Sequence, residues 1–246
     1  MTSYGERLNT AHLAIRSLML QTHKPNRIIL NLDSSVRIET LPNSLRELQQ
    51  YGLEIRTGLQ DIRPHKKYYF TMLDFPNSVV ITADDDFIFD EYTVEDLVKG
   101  HSLYPECVIT RRCHEISFDE EGTPLPYSEW SFEWTSEKIC RRRQLLATGG
   151  AGTLYPARVF SKRPPRIEEI TDDLVYTDDL YMKILEVLNG VDVVFVPNRL
   201  IYPYEIEHSQ HSALWLENIE GERNDKVFTE LLQTHGLTVE DFLDDR

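Results

Sequence analysis

An α/β domain built on a largely parallel central sheet is the architecture this sequence predicts, and three observations predict it. Helical and extended stretches alternate through the N-terminal part of the 246-residue chain. The extended stretches begin about 25 residues apart, the spacing of βαβ crossovers. Acidic residues stand at the carboxyl ends of two of them, where open α/β sheets bind their ligands. The length suits one domain with a continuous core and a cleft in it.

The elements follow in order. Leu8, His12, Ile15, Leu18 and Met19 recur at helical spacing, and Lys24-Pro25-Asn26 closes that helix. Ile28-Ile29-Leu30-Asn31-Leu32 reads as a short buried strand ending at Asp33. A helix around Leu45, Leu48 and Tyr51 stops at Gly52, and a strand runs from Leu53 to Thr57. Residues 64–73 read as helix, and Val79-Val80-Ile81-Thr82-Ala83 as a third strand that delivers Asp84-Asp85-Asp86. Residues 115–140 mix acids, prolines and aromatics (Tyr127, Trp130, Phe132, Trp134) without a clear period, and a glycine loop at 147–156 follows. Thr177-Asp178-Asp179 opens a helix with Leu180, Ile184, Leu185 and Leu188 inward, ended by Asn189-Gly190. A strand over 191–196 returns to the sheet, and the tail from Lys226 reads as a pair of short helices. No repeat, low-complexity tract or linker divides the chain.

Composition narrows the function. Apolar content of 41% and aromatic content of 10% are those of a globular fold. A net charge of −15 argues against nucleic-acid backbone binding, which needs Lys and Arg to neutralise phosphates. The local basic runs Arg111-Arg112 and Arg141-Arg142-Arg143 read as solvated loop charge or as a phosphate site, and for the second run the solvated reading is preferred. Cys107, Cys113 and Cys140 are an odd set without metal-ligand spacing, which fits a reducing cytoplasm. There is no stretch of the roughly 20 apolar residues a bilayer span needs and no signal-like opening segment. If a partner is membrane-borne, the chain must reach it from the surface, by peripheral contact.

The chemistry concentrates in a few motifs. Three successive carboxylates repel one another, so a fold that gathers Asp84, Asp85 and Asp86 neutralises them with a cation. Hard oxygen ligands suit Mg²⁺ or Mn²⁺ completed by phosphate and water; the plain alternative is a polar turn. An EF-hand loop fails, because Phe89 falls where glycine is required and Ile88 where an oxygen ligand is. A haloacid-dehalogenase-like phosphohydrolase would pair Asp84-x-Asp86 with Asp178-Asp179, but two strands precede the motif and Ile88 departs from the pattern. Gly149-Gly150-Ala151-Gly152 is neither a P-loop nor a dinucleotide fingerprint; it turns the chain or lets a substrate approach the backbone. Asp178 and Asp179 read as first-turn helix charge, with Asp179 free to face the cleft as well. His208 and His211, in a Ser/His/Gln loop, read as exposed histidines or as a third metal ligand.

Taken together, Thr2 to Arg7, Gln21 to Pro25, Ile28 to Leu32, Asp84 to Asp86, Gly149 to Pro156, Thr177-Asp178-Asp179 and the late Leu214-Trp215, Asn218 and Asn224-Asp225 resemble bacterial glycosyltransferases close to glycosyltransferase family 2, which act in surface-polysaccharide assembly. The resemblance spans nearly the whole chain and rests on the order and spacing of these segments. It implies a GT-A (Rossmann-like) single domain over 1–246, with a mostly parallel central sheet and helices on both faces. Residues up to about 112 would form the nucleotide-sugar-binding half and those from about 113 the acceptor-binding half and tail. It implies a DXD motif with Asp86 on the metal, joined by Asp84, and with Asp84 or Asp85 toward the nucleoside. Thr2, Ser3, Tyr4, Arg7 and Asp33 would border the nucleotide. Asp179 would be the base, and Trp130, Gly149, Gly150 and Asp178 would form the acceptor side.

The function so implied is transfer of a sugar, probable inversion included, from a nucleotide sugar of the UDP type to a saccharide or lipid-linked saccharide in surface-polysaccharide or lipopolysaccharide synthesis, with Mn²⁺ or Mg²⁺ and with no nucleic acid. The enzyme would be cytoplasmic. A catalytically inactive nucleotide-sugar-binding homologue is the further alternative. One departure stands out: the family has an apolar strand just before the Thr-Ser-Tyr segment, where this chain begins with Met1. The expectation is a sheet without that strand, or a chain with a late start.

Overall fold

The computed structural model describes residues 1–199, 204–206 and 223–244. Helix α1 (Ala11–Met19) forms where Ala11, Ala14, Ile15 and Leu18 line one buried face. His12 turns aside and bonds the Asn9 carbonyl at 3.0 Å. Ser17 Oγ accepts the Phe89 N–H at 3.0 Å, which ties α1 to the chain just beyond the acidic triplet. Strand β1 (Ile28–Asp33) is buried over all but its first residue and pairs in parallel with β2 (Leu53–Leu59), Ile28 opposite Leu53. Met1 and Thr2 lie along the free side of β1. The Met1 ammonium donates to the Ile29 carbonyl at 3.0 Å, and Thr2 is bridged in parallel to Asn31.

The largest sheet runs in the order β3 (Val80–Thr82), β9 (Thr153–Tyr155), β5 (Val108–Thr110), β10 (Val193–Phe195) and β7 (Cys140–Arg142). It is mixed, which corrects the expected mostly parallel sheet. Strand β9 is antiparallel to both β3 and β5, β10 is parallel to β5, and β7 is antiparallel to β10. The parallel β1–β2 pair stands apart from it. Short pairs join β4 (Phe87–Ile88) to β11 (Tyr204–Glu205) and β6 (Cys113–Glu115) to β8 (Leu145–Ala147).

Residues 64–73 divide into a 3₁₀ turn (Arg63–Lys67) and α3 (Tyr69–Asp74), after the four-residue α2 (Asn43–Arg46). Helix α4 (Thr93–Leu103) packs on the main sheet, and Gly100 lets it approach: a Cβ there would lie 2.6 Å from Ile109. Helix α5 (Asp178–Asn189) starts at Thr177 and stops at Gly190, whose φ of +70° is the left-handed C-terminal geometry glycine favours. It buries Leu180, Tyr181, Ile184 and Leu185, each worth about 1.5–3 kcal/mol when removed from water. The tail holds one longer helix, α6 (Arg223–His235), and a 3₁₀ turn (Val239–Asp241), in place of two short helices.

Three apolar clusters result: a small one between α4 and the main sheet (Leu97, Ile109, Leu154, Val194) and two larger ones. One gathers α1, β1 and the start of β2 with Met1, Ala83 and Phe87; the other gathers α5, α6 and the strands β6, β8 and β10 around Trp130 and Phe228.

Candidate functional site

A cavity of about 670 Å³ draws its walls from both larger clusters. Strand β3 ends at Thr82, and the chain delivers Asp84, Asp85 and Asp86 at its mouth. The glycine loop closes over them, its Gly150 carbonyl accepting the Asp84 N–H at 2.9 Å. A Cβ on Gly150 would run into the Asp84 carboxylate, so the close approach requires glycine. From the other side the first turn of α5 brings Asp178 and Asp179 to the same cavity.

The acidic cluster is neutralised by the protein's own cations. Arg7 donates to Asp85 at 2.9 Å and to Asp86 at 2.7 Å, its guanidinium 5.8 Å from the Tyr4 ring centre. Lys67 reaches Asp84 at 2.8 Å and Asp178 at 3.0 Å, its side chain only 3% exposed. Burial opposes the charge on Lys67, yet Asp178 and Asp84 hold it well above the ordinary lysine range. Burial pushes Asp85 up to about 6, against the pull of Arg7. It also raises Asp86, helped by the neighbouring Asp84 charge. Asp84 goes the other way, because Lys67 outweighs its burial.

Asp179 departs from an ordinary aspartate. Burial, and then the charge of Asp178, push its carboxyl up to about 7. Its Oδ1 accepts the Gly149 N–H at 2.9 Å. A group poised there can take a proton near neutral pH and give it up again.

The structure thus brings Thr2, Tyr4, Arg7, Asp84, Asp85, Asp86, Gly150, Asp178 and Asp179 to one cavity. Ser3 is buried and off the cavity wall, and Gly149 reaches it through Asp179. Asp33 accepts from Lys66 at 2.9 Å and from the Ser35 N–H at 2.9 Å, and these donors hold it at about 2 against the effect of its burial. Trp130 is 4% exposed, donates its indole N–H to the Leu125 carbonyl at 3.0 Å and packs on Phe228. Neither lines the cavity. His208, His211, Leu214, Trp215 and Asn218 lie outside the described residues.

Among the described residues no group of three or more His, Cys, Asp or Glu side chains is gathered closely enough to hold a metal on its own. The donor chemistry still fits a hard cation, since Asp84 and Asp86 present carboxylates to an open cavity whose other ligands would come from phosphate and water. Sequence reasoning missed Lys67, whose one visible signal was a charged pair, Lys66-Lys67, inside an otherwise apolar helical stretch. It also missed the wall formed by His114, Tyr127, Phe132 and Tyr176, which has no local period to announce it.

No family model matches the sequence, and no curated protein matches it. Among solved structures, the CMP:2-keto-3-deoxy-manno-octonic acid synthetase complexed with CTP is similar at 12% identity and a TM-score of 0.45, over 86% of this chain and 88% of that chain. A likeness of that degree assigns neither family nor activity.

Proposed function

We propose that this chain is a metal-dependent glycosyltransferase, moving a sugar from a nucleotide sugar of the UDP type to a saccharide or lipid-linked saccharide acceptor. The observation that carries the reading is the convergence of the strand-end triplet Asp84-Asp85-Asp86 and the poised Asp179 on one cavity. One end offers metal-type carboxylates for a cation that would hold a diphosphate; the other offers a base for a hydroxyl.

Asp179 accepts the proton of the attacking acceptor hydroxyl while the anomeric carbon passes through an oxocarbenium-like state. The Gly149 N–H holds the Asp179 carboxylate in place, and Asp178 is held in turn by Lys67. Arg7, paired with Asp85 and Asp86, holds those carboxylates in place where the nucleoside diphosphate departs. When bound at Asp84 and Asp86, Mn²⁺ or Mg²⁺ would supply the neutralisation of that leaving group. In-line displacement inverts the anomeric configuration. Tyr4 and Thr2 border the nucleoside, and the reaction takes place in the cytoplasm.

Two variants test the division of labour. Asp179→Asn keeps size and removes the proton acceptor, so kcat falls about 10²–10⁴-fold while nucleotide affinity stays near wild type. Wild-type turnover itself declines below about pH 7 as Asp179 takes up a proton. Asp86→Asn weakens donor binding together with turnover. Near-normal turnover in Asp179→Asn removes it from the mechanism. Release of inorganic phosphate from simple phosphate esters would favour the phosphohydrolase instead.

A further inference from the structure

Beyond the nucleotide end, the cavity continues into a compartment of a different chemistry. Its wall is aromatic: the Phe132 ring lies 4.6 Å from His114 and 5.4 Å from Tyr127, centre to centre. Phe132 is 39% exposed, while Tyr127 and His114 are buried behind it. The start of α6 is fastened to this wall, since Asp225 Oδ1 accepts the Tyr127 N–H at 2.6 Å.

That fastening brings Asn224 to the cavity. Asn224 is only 6% exposed, and among the described residues its buried Oδ1 has no hydrogen-bond partner. Leaving a buried amide oxygen unsatisfied is unfavourable, and a bound hydroxyl donor removes that cost. His114 supplies a complementary donor. Its Nδ1 accepts the Glu133 N–H at 3.0 Å, which leaves the ring proton on Nε2. Burial, reinforced by Arg112, lowers its pKa to about 3, so the ring is neutral.

The remaining charge in this region is already matched or has the wrong sign for an anion. Arg112 is paired with Glu133 at 3.1 Å, Arg63 with Asp61 at 3.5 Å, and Asp178 and Asp179 stand opposite. An aromatic face with neutral donors and acceptors beside it is the surface that recognises the C–H face and hydroxyls of a sugar ring.

We infer that this compartment binds the acceptor as an uncharged pyranose, its ring against Phe132 and its hydroxyls on Asn224 and His114, with the attacking hydroxyl directed at Asp179. The inference rests on the glycosyltransferase reading for the word acceptor, but the subsite itself is separable from it.

The test is saturation-transfer NMR on the full chain with methyl pyranosides of glucose, galactose, mannose and N-acetylglucosamine, and with methyl glucuronide as the charged control. The same samples are titrated with UDP and Mn²⁺. Transfer is expected to at least one neutral pyranoside, with little to the glucuronide. Phe132→Ala and Asn224→Ala each reduce that transfer about fivefold or more, Phe132→Tyr restores it, and UDP affinity is unchanged in all three. Phe132 is exposed, so its alanine variant folds, and circular dichroism checks both. Saccharide binding without UDP binding upholds the subsite and overturns the glycosyltransferase reading. UDP binding with no pyranoside contact, stronger binding of the glucuronide, or variants that bind like wild type overturn the subsite.

Discussion

Lys67 is the residue on which the electrostatics of the cavity turn. Its ammonium is buried and spans 2.8 Å to Asp84 and 3.0 Å to Asp178, so one charge joins the metal-side carboxylate to the base-side pair. Removing one partner of such a buried pair leaves charge without compensation, a loss on the order of 3 kcal/mol. Lys67→Met therefore lowers the thermal midpoint clearly at pH 7. The sign of the pH effect follows from the carboxylates left behind. Without Lys67, burial is left to push the Asp84 carboxyl up from its ordinary value, so protonation favours the folded variant and the deficit shrinks as the pH falls from 7 toward about 4. Thermal unfolding of wild type and variant across that range checks this. A variant as stable as wild type at pH 7 would show that Lys67 is incidental. Arg7 works the same way at the other end, between Asp85 and Asp86.

The glycine loop and the end of β3 act together as one element. Asp84 donates its N–H to the Gly150 carbonyl, and the Gly149 N–H donates to Asp179, so this loop is bonded to both acidic motifs. A methyl at Gly150 meets the Asp84 carboxylate directly. Gly150→Ala is expected to fold but to displace that carboxylate from Lys67, weakening nucleotide binding in the presence of Mn²⁺ about tenfold. Unchanged affinity, by the same titration, would mean that the close approach has no functional consequence. Much of this element was legible in advance. The apolar run before Asp84 and the Thr177-to-Gly190 helix carry strong local signals, and both place acids at element ends. The pairing that unites them was not. Strand β9 is three residues long and antiparallel to both neighbours, and such a strand has too few residues for a period and is placed by contacts far away in the chain. The same limit hid the aromatic wall. Trp130 and Phe132 are two residues apart in one irregular segment, yet one is 4% exposed in the core and the other 39% exposed at the cavity.

The whole molecule carries a charge of −15, which sets a problem for any nucleotide it binds. A diphosphate approaching this surface is repelled at long range and is held only where positive charge is local. Arg7 and Lys67 supply such charge at the cavity, but both are already matched by Asp84, Asp85, Asp86 and Asp178. The cavity's own cations therefore balance its own carboxylates, and a diphosphate needs further positive charge to be held there. A divalent cation on Asp84 and Asp86 is the proposed source. The two apolar clusters that frame the cavity keep these groups out of bulk water, where their interactions would be far weaker. Titration calorimetry of the full chain with UDP, with Mn²⁺ and with the metal removed by chelator, tests this metal dependence directly. Binding is expected to be about tenfold or more tighter with Mn²⁺, a difference that disappears in Asp86→Asn. Equal affinity with and without the metal would contradict it.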